Sequence, residues 1–426
     1  MDHFHYKKNN LHAEEVAVAE IAAAIGTPFY CYSTATLERH FKVFSESLEP
    51  LDKLVCYAVK ANSNIAVIKT LGHLGAGADV VSEGEIRRAL AAGISPGKIV
   101  FSGIGKTRDE MAYALKTGIY QFNVESEPEL VALDEVAKSF GKSAPVAIRV
   151  NPDVDGKTHK KITTGRKEDK FGIAFSQSYA IYARAKKLKN IAIKGISTHI
   201  GSQITDIKPF AQAFAKIRGL VKELRAQGHN IERIDLGGGL GIPYYGSENP
   251  PSPREYAAAV KKEMAGMEAR FIFEPGRMIV GNSGILVSKL LYVKDTGHRV
   301  FYILDAGMND LIRPSFYDAY HEIIPVRKTA AKKRAVDIVG PVCETGDIFA
   351  KQREMPAMKP GDLAAFRTAG AYGATMSSTY NSRLLIAEVL VKGGEFEVIR
   401  KRQSYEEMLA AETIPSWLKK GKKNVR

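Results

Sequence analysis

Short apolar runs alternate with longer segments of helical periodicity along most of the chain. The apolar runs lie at residues 54–60, 78–82, 98–102, 119–124, 146–151, 193–199, 231–236 and 270–274. The helical segments between them lie at residues 83–92, 106–116, 127–140, 177–187, 207–226 and 253–267. Continuous apolar runs separated by helices are typical of parallel strands that helices cover on both faces. Eight such units in succession predict an α/β fold with a closed (β/α)8 TIM-like barrel, and an open doubly wound sheet is the alternative.

The pattern changes after residue 281, where candidate strands follow one another. They lie at residues 285–294, 300–305, 336–340, 363–367, 386–392 and 397–400. Residues 404–412 have a helical pattern, and residues 28–33, before the first barrel unit, have the pattern of a strand. The succession predicts an all-β domain, either a β-sandwich or a small barrel, after the TIM-like barrel. We therefore predict a barrel domain over 36–281 and a β domain built from 1–35 together with 282–426.

The composition is that of an ordinary globular protein, with 45% hydrophobic and 25% charged residues among 426. The net charge of +14 suggests nucleic-acid binding. Much of the excess, however, lies in two basic clusters at 327–333 and 419–426, and such clusters are more often solvated, so we predict no nucleic-acid partner. Three dispersed cysteines predict neither a disulfide framework nor a metal site. With no signal segment and no apolar span, the sequence predicts a cytoplasmic protein without membrane contact.

Polar residues that could carry chemistry lie where the predicted barrel strands end. Lys60, His199 and Glu274 close apolar runs, and Asp79 lies within another. Barrel enzymes place reactive groups at these carboxyl ends. Burial at the mouth of an apolar barrel lowers the pKa of a lysine, so Lys60 is a candidate to form a Schiff base. Taken singly, a strand-end lysine can extend to solvent and a histidine can be structural, but the group as a whole favours chemistry.

Glycines follow the last two predicted strands. The run 237–241 follows one strand, and Gly276 and Arg277 follow the next, at the place where barrels usually bind phosphate. The run lacks the G-x-G-x-x-G spacing of a dinucleotide site, and alone it would indicate a turn. A carboxylate such as Glu274 can pair with a heterocyclic nitrogen, and the ring of His199 can stack on a planar cofactor. Lysine, phosphate loop, carboxylate and imidazole together predict pyridoxal 5'-phosphate as the cofactor.

Seven segments of the sequence resemble the diaminopimelate decarboxylases, pyridoxal phosphate enzymes with an alanine racemase-like fold. They are YAVKAN at 57–62, GADVVS at 77–82, HIGSQ at 199–203, GGG at 237–239, EPGR at 274–277, GPVCETGD at 340–347 and GAY at 370–372. The resemblance covers nearly the whole chain, in order. It implies cofactor contacts by Lys60, Asp79, His199, Ser202, Gly239, Glu274, Gly276, Arg277 and Tyr372. It implies substrate contacts by Arg277, Arg313, Tyr317, Glu344 and Tyr372.

The reaction that the resemblance implies is decarboxylation of meso-2,6-diaminopimelate to L-lysine and carbon dioxide, in lysine biosynthesis. Lys60 is implied to carry the cofactor, between Asp79 and His199, with Glu274 at the pyridine nitrogen. Cys343 is implied to return a proton to the substrate, reaching the site with Glu344 across a homodimer interface. From the residues alone, Cys343 could equally be a buried, inert cysteine.

Other functions remain open at this stage. A decarboxylase of ornithine, arginine or carboxynorspermidine shares the barrel motifs, and a non-catalytic regulatory relative would keep the fold. Arg313 discriminates, because it offers a cation to a distal carboxylate, whereas a distal ammonium needs an acid. Glu344 could bind a distal amine in either case. The long polar segment 153–170, with His159 and Lys161, is either a lid over the site or a solvated loop.

Overall fold

The computed structural model describes residues 2–156, 164–165, 169–246 and 248–419. His159 and Lys161, on which the lid hypothesis depends, lie outside these described residues, as does the basic tail after Lys419. The chain begins with β1 (Phe4–Lys7), β2 (Asn10–Ala13), β3 (Val16–Ala17), α1 (Val18–Ile25), β4 (Phe29–Ser33) and α2 (Thr34–Ser47). Strands β1 to β3 form a small antiparallel sheet. No helix in the described part of the chain is both long and apolar enough to span a membrane.

Eight parallel strands close the barrel that the alternating pattern predicts. They are β5 (Lys53–Ala58), β6 (Gly77–Val80), β7 (Ile99–Phe101), β8 (Gln121–Val124), β9 (Ala144–Asn151), β11 (Ile191–Ser197), β12 (Arg233–Asp235) and β13 (Arg270–Phe273); a two-residue strand, β10 (Ile173–Ala174), also pairs with β9. The ring closes where β8 pairs with β9, with Phe122 opposite Val146. The closed barrel is confirmed, and the open-sheet alternative is wrong.

Helices cover the outside of the barrel. They are α3 (Ile65–His73), α4 (Glu83–Ala91), α5 (Arg108–Thr117), α6 (Glu127–Ser139), α7 (Ser178–Ala185), α8 (Ile207–Ala226), α9 (Pro253–Glu263) and the single turn α10 (Arg277–Val280). The six predicted helices correspond to α4 through α9. Several begin at side-chain caps: Thr107 and Ser252 form capping boxes with Glu110 and Glu255, an arrangement that stabilises a helix start by about 1 kcal/mol.

A second, β-rich sheet follows the barrel. Its elements are β14 (Gly284–Asp295), β15 (Val300–Leu304), α11 (Arg313–Tyr317), β16 (Ile323–Pro325), β17 (Lys333–Val339), β18 (Ile348–Pro356), β19 (Leu363–Phe366), β20 (Ala387–Lys392), β21 (Glu395–Arg400) and α12 (Tyr405–Leu409). The early strand β4 lies between β14 and β20 in this sheet. That pairing supports our proposed domain division, with 36–281 as the barrel and 1–35 joined to 282–426.

The predicted terminal helix over 404–412 is too long. Helix α12 ends at Leu409 and has no buried residue. A short helix without a packed apolar face gains little from tertiary contacts, so it stops after little more than one turn. Strands β16 and β18 were not predicted from the sequence.

The interior of the barrel changes from apolar to polar along its strands. One buried cluster inside the barrel is apolar and consists of Leu54, Cys56, Val100 and Ile272. Toward the carboxyl ends the buried side chains become polar: Asp79, Ser102, Asn123, Asp235 and Glu274. A buried polar group needs a hydrogen-bond partner. The polar side chains at this end of the barrel must therefore bond to one another or to a ligand.

Candidate active site

A cavity of about 800 Å³ opens at the carboxyl ends of the barrel strands. Ten of the predicted site residues line it: Lys60, His199, Ser202, Gly239, Glu274, Gly276, Arg277, Arg313, Tyr317 and Tyr372. The barrel supplies most of this lining, and α11 of the β-rich region supplies Arg313 and Tyr317. Lys60 is the one lysine among the described lining residues. The structure therefore brings together most of what the sequence predicted, from two separate parts of the chain.

Lys60 lies in the turn that follows β5, and its ammonium contacts the carboxylate of Asp79 on the adjacent strand β6. The Lys60 side chain is 38% exposed, whereas Asp79 is fully buried. Burial disfavours the charge on Lys60, but Asp79 and other nearby acids outweigh it and raise the pKa of Lys60. The predicted lowering of this pKa is therefore wrong, because the prediction counted desolvation and not the carboxylate beside it.

Glu274 and Asp235 form a buried pair of carboxyl groups beside that lysine. Burial first, and then the charges of Asp235 and Asp79, raise the pKa of Glu274 well above its ordinary value. Burial likewise raises the pKa of Asp235 to about 6. Asn123 at the end of β8 donates from Nδ2 to Asp235 Oδ2 at 2.9 Å and to Glu274 Oε1 at 3.3 Å. The raised pKa values favour a proton on this pair, which the pair can share with a basic nitrogen.

His199 presents a neutral ring to the cavity. Its pKa is lowered well below the ordinary value by burial and by the positive charges of Arg149 and Lys60. The Nδ1 atom accepts a hydrogen bond from the backbone N–H of Gly238 at 3.1 Å. The ring nitrogen Nε2 consequently carries the proton, and the ring is fixed in orientation. A fixed, neutral aromatic ring suits stacking against a planar group.

The glycine run after β12 is demanded by the packing of the barrel loops. A Cβ atom at Gly238 would lie 2.2 Å from the carbonyl oxygen of Glu274, and one at Gly239 would lie 2.3 Å from that of Gly201. Gly239 also has a φ of 107°, which disfavours any side chain. No described residue accepts a hydrogen bond from the N–H of Gly239 or of Gly276. Both amides line the cavity and are suited to an anion.

Two buried arginines face the same cavity, and each is 6% exposed. Arg277 donates from Nη1 to the hydroxyl of Tyr244 at 2.7 Å and from Nη2 to the hydroxyl of Ser202 at 3.0 Å. Arg313 donates from Nη1 to His321 Nε2 at 2.8 Å. Neither arginine has a carboxylate within ion-pair distance among the described residues. The two guanidinium charges are therefore buried without compensation, so the site favours anions.

Tyr372 links the two parts of the site. Its ring lies 4.8 Å from the guanidinium of Arg277. Its backbone N–H donates to the carbonyl oxygen of Ala61, in the turn that carries Lys60, at 2.8 Å. The β-rich part of the chain is thereby fixed against the lysine turn of the barrel.

Sequence reasoning missed three residues of this site. Asn123 ends a predicted strand and could have been found by the same strand-end rule as Lys60. Tyr244 follows the glycine run closely, but nothing in its spacing indicates that it contacts two arginines. Arg149 lines the cavity and pairs with Glu125 at 2.9 Å, and its Nη2 has no partner among the described atoms.

The structure does not bring Cys343 and Glu344 to the cavity. They lie in the loop between β17 and β18, outside the described lining, and Cys343 is exposed. The alternative of a buried, inert cysteine is therefore wrong for Cys343. The backbone N–H of Cys343 donates to the side-chain oxygen of Asn381 at 2.8 Å. A chain that uses these two residues in catalysis must receive them from another copy.

Comparison with known proteins gives this geometry a family. Residues 34–281 match the family described as pyridoxal-dependent decarboxylase, pyridoxal binding domain. The chain is 49% identical over 414 residues to the diaminopimelate decarboxylase of Pseudomonas aeruginosa, an alignment that covers 97% of this chain and 99% of that protein. The chain belongs to the diaminopimelate decarboxylase family. The diaminopimelate decarboxylases are pyridoxal phosphate-dependent carboxy-lyases, and the resemblance inferred from the sequence is confirmed.

Solved structures of diaminopimelate decarboxylases share the whole fold. One from Helicobacter pylori, complexed with L-lysine, has a TM-score of 0.89 and 41% identity, covering 92% of this chain and 98% of that one. Another from M. jannaschii, in co-complex with L-lysine, has a TM-score of 0.94 and 36% identity, covering 98% of this chain and 99% of that one. The barrel and the β-rich sheet thus occur together in these relatives.

Proposed function

We propose that the chain decarboxylates meso-2,6-diaminopimelate to L-lysine and carbon dioxide, with pyridoxal phosphate as cofactor. The observation that carries the proposal is the cavity itself, which combines Arg277 and Arg313, buried without carboxylate partners in the described chain, with Lys60 and the buried carboxyl group of Glu274. A phosphate and a distal carboxylate would compensate the two arginines. The names of the relatives, including two crystallised with L-lysine, support the same substrate.

The residues of the cavity fit the cofactor on features of this chain. Asp79 Oδ1 is buried and has no hydrogen-bond partner among the described atoms, beside the lysine that would carry the cofactor. Gly239 and Gly276 offer free amides to a phosphate. When bound, pyridoxal phosphate supplies an electron-poor ring that stabilises the negative charge left on the α-carbon as carbon dioxide departs.

We assign the cofactor contacts to residues that line the cavity and to Asp79, which contacts the cavity-lining Lys60. The proposed phosphate contacts are Ser202, Gly239, Gly276 and Arg277. Glu274 would pair with the pyridine nitrogen, where its raised pKa favours a shared proton. Asp79 and His199 would hold the cofactor ring between them. The ion pair with Asp79 holds the Lys60 amine in place for the cofactor and for product release.

The substrate contacts complete the proposal. Arg313 binds the distal carboxylate, and Tyr317 and Tyr372 line the space between that arginine and the cofactor. This assignment disfavours ornithine, arginine and carboxynorspermidine, whose distal groups are cations that Arg313 would repel. Tyr317 continues the same short helix that places Arg313, so one element supplies both contacts.

We propose a homodimer in which each site receives Cys343 and Glu344 from the partner. Cys343 would give a proton to the α-carbon after decarboxylation, and Glu344 would bind the distal amine. The exposed position of this loop supports delivery to a second copy. Mixing the inactive Lys60→Ala and Cys343→Ala variants should restore activity, because some mixed dimers contain one intact site. If mixed dimers are shown to form and activity is still not restored, the site is not shared between subunits.

Free thiols at all three cysteines also fit the proposed cytoplasmic location.

A substrate panel tests the proposed reaction. Purified protein saturated with pyridoxal phosphate is given meso-2,6-diaminopimelate, L-ornithine or L-arginine, and carbon dioxide and amine products are quantified. We expect L-lysine from the first substrate and little turnover of the other two. If the protein turns over ornithine or arginine faster than meso-2,6-diaminopimelate, it is a decarboxylase of that amino acid instead. A protein that binds the cofactor but releases no carbon dioxide would be a regulatory relative.

A further inference from the structure

His321 lies behind the Arg313 guanidinium and lines no part of the cavity. We propose that His321 is a positioning residue that orients Arg313 toward the distal carboxylate of the substrate. The inference rests on the proposed function, since it takes the distal carboxylate as the ligand of Arg313. It adds a residue that does not itself touch substrate, cofactor or the reacting atoms.

The hydrogen bonds of the His321 ring determine its proton placement. Its Nδ1 atom lies 2.9 Å from the carbonyl oxygen of Arg367, and its Nε2 atom lies 2.8 Å from Arg313 Nη1. A carbonyl oxygen only accepts and a guanidinium only donates, so Nδ1 carries the proton and Nε2 accepts. Burial, followed by the charge of Arg313, lowers the pKa of His321 to about 3, which agrees with a neutral ring.

The surrounding chain prevents the ring from turning away. His321 is 2% exposed, and its own carbonyl oxygen accepts from Arg353 Nη1 at 3.1 Å. The Arg367 backbone N–H donates to the carbonyl oxygen of Glu322 at 2.8 Å, so the two segments are joined on both sides of the ring. The Arg367 side chain is in turn paired with Asp2 at 2.8 Å. The acceptor offered to Arg313 is therefore held rigidly by the β-rich part of the chain.

A neutral acceptor suits a substrate-binding arginine better than a carboxylate does. A carboxylate in this place would neutralise Arg313 and repel the substrate's own carboxylate. The uncharged Nε2 lone pair aligns one N–H of the guanidinium and leaves its positive charge for the ligand. The face of Tyr244, 4.6 Å from the Arg313 guanidinium, limits its movement on another side. Arg313 itself lines the cavity, so its positive charge stays available to a bound carboxylate.

Two substitutions of similar size separate the hydrogen bonds of the ring. His321→Gln keeps an oxygen that can reach the position of Nε2 and accept from Arg313, whereas His321→Asn can still donate to the Arg367 carbonyl oxygen but is too short for its own oxygen to reach Arg313. We expect His321→Asn to raise KM for meso-2,6-diaminopimelate by roughly tenfold to a hundredfold, the loss typical of one hydrogen bond to a charged group. We expect kcat and the cofactor absorbance to change little, and His321→Gln to recover much of the loss.

Product inhibition supplies a readout that does not depend on the folded fraction. L-lysine keeps the distal carboxylate of the substrate, and cadaverine lacks it. In the holoenzyme, His321→Asn should weaken inhibition by L-lysine by about the same factor as KM while leaving cadaverine unchanged, so their ratio shifts roughly tenfold or more. If wild type is active and the ratio of inhibition by L-lysine to inhibition by cadaverine is the same in His321→Asn, the inference is overturned. An equal rise in KM in the Asn and Gln variants also overturns it. If wild type makes no L-lysine at all, the proposed function has failed instead.

Discussion

The cavity has an acidic part at the ends of the barrel strands, here called the inner end, and a basic part that contains Arg277 and Arg313, here called the rim. At the inner end, the buried carboxyl groups of Asp79, Asp235 and Glu274 surround the single ammonium of Lys60. At the rim, Arg277 and Arg313 are buried with no carboxylate partner in the described chain. Burial at the inner end raises the pKa values of Asp235 and Glu274 and favours their protonated forms, whereas the rim favours the binding of anions.

This difference matches a ligand pair with a basic ring nitrogen at one end and acidic groups at the other. Each end is costly by itself, because like charges lie together in a poorly solvated space. Binding of the ligands offsets the repulsion at both ends. The free energy of unfolding should therefore rise on binding by more than the buried contact area alone would give. Breaking either end separately should show which part of the ligand each end binds.

Removing the lysine from the inner end should have the largest effect. Lys60→Ala deletes the amine that would carry the cofactor, and activity should fall by roughly 10⁴-fold or more. The wild-type absorbance at about 420 nm, expected for a lysine-bound cofactor, should disappear. Lys194→Ala is the matched control, since Lys194 lies on barrel strand β11 and pairs with Glu232 outside the cavity. Retained absorbance in Lys60→Ala would assign the cofactor to another amine.

Neutralising the carboxyl pair should separate activity from stability. Glu274→Gln can still donate a hydrogen bond to Asp235, but it cannot exchange a proton with the cofactor nitrogen, so kcat should fall by roughly 10²-fold or more. The pKa of Glu274 is raised on folding, mainly by burial, and that of Asp235 is raised to about 6. The folded protein therefore binds more protons than the unfolded chain does. The free energy of unfolding is consequently highest at low pH and falls as the pH rises through the folded-state pKa values.

Thermal melts of the cofactor-free protein test that sign. Wild-type stability should fall as the pH rises above about 4, through the pKa of Asp235 at about 6 and through the raised pKa of Glu274. Glu274→Gln should flatten this fall and be more stable than wild type at pH 8 by about 1–3 kcal/mol. The same pH dependence in both proteins would show that the inner carboxyl cluster does not carry the cost we assign to it.

The inner end of the site and Arg277 were largely predictable, but Arg313 and its neutral partner His321 were not. Lys60, Asp79, His199 and Glu274 all follow from one rule, because parallel barrel strands direct their carboxyl ends to one mouth. The raised pKa of Lys60 was still missed, since it depends on a contact between side chains of two adjacent strands.

The rim depends on pairings that no periodicity encodes. Arg313 begins the five-residue helix α11 and His321 lies in the irregular segment after it, and a hydrogen bond between their side chains joins the two. Strand β4 is another example, because its partners β14 and β20 lie far away in sequence. The family resemblance supplied Arg313, but nothing in the sequence indicated the neutral partner behind it. A contact of Cys343 with the site of a second subunit also depends on packing between distant surfaces, so it stays a prediction.

Weakening the rim should affect substrate selection more than chemistry. Arg313→Lys keeps a positive charge but loses the planar fork that binds a carboxylate, so KM for meso-2,6-diaminopimelate should rise by roughly tenfold to a hundredfold. Cofactor absorbance should be unchanged, because Arg277 and not Arg313 is assigned to the phosphate. Arg233→Lys, on β12 and outside the cavity lining, is the control. A fall in kcat with unchanged KM would place Arg313 in the chemistry instead.

The smallest effect should come from the hydroxyl that joins the two arginines. Burial favours a neutral phenol at Tyr244, yet Arg277 and Arg313 together lower its pKa, so its oxygen serves as their shared acceptor. Tyr244→Phe keeps the ring and removes that oxygen, and KM should rise about fivefold with little change in kcat. Tyr292→Phe is the control, because Tyr292 is exposed on β14 and lies outside the cavity lining. If Tyr244→Phe costs as much as Arg313→Lys, the phenol does more than space the arginines, and the rim must be treated as one three-residue anion site.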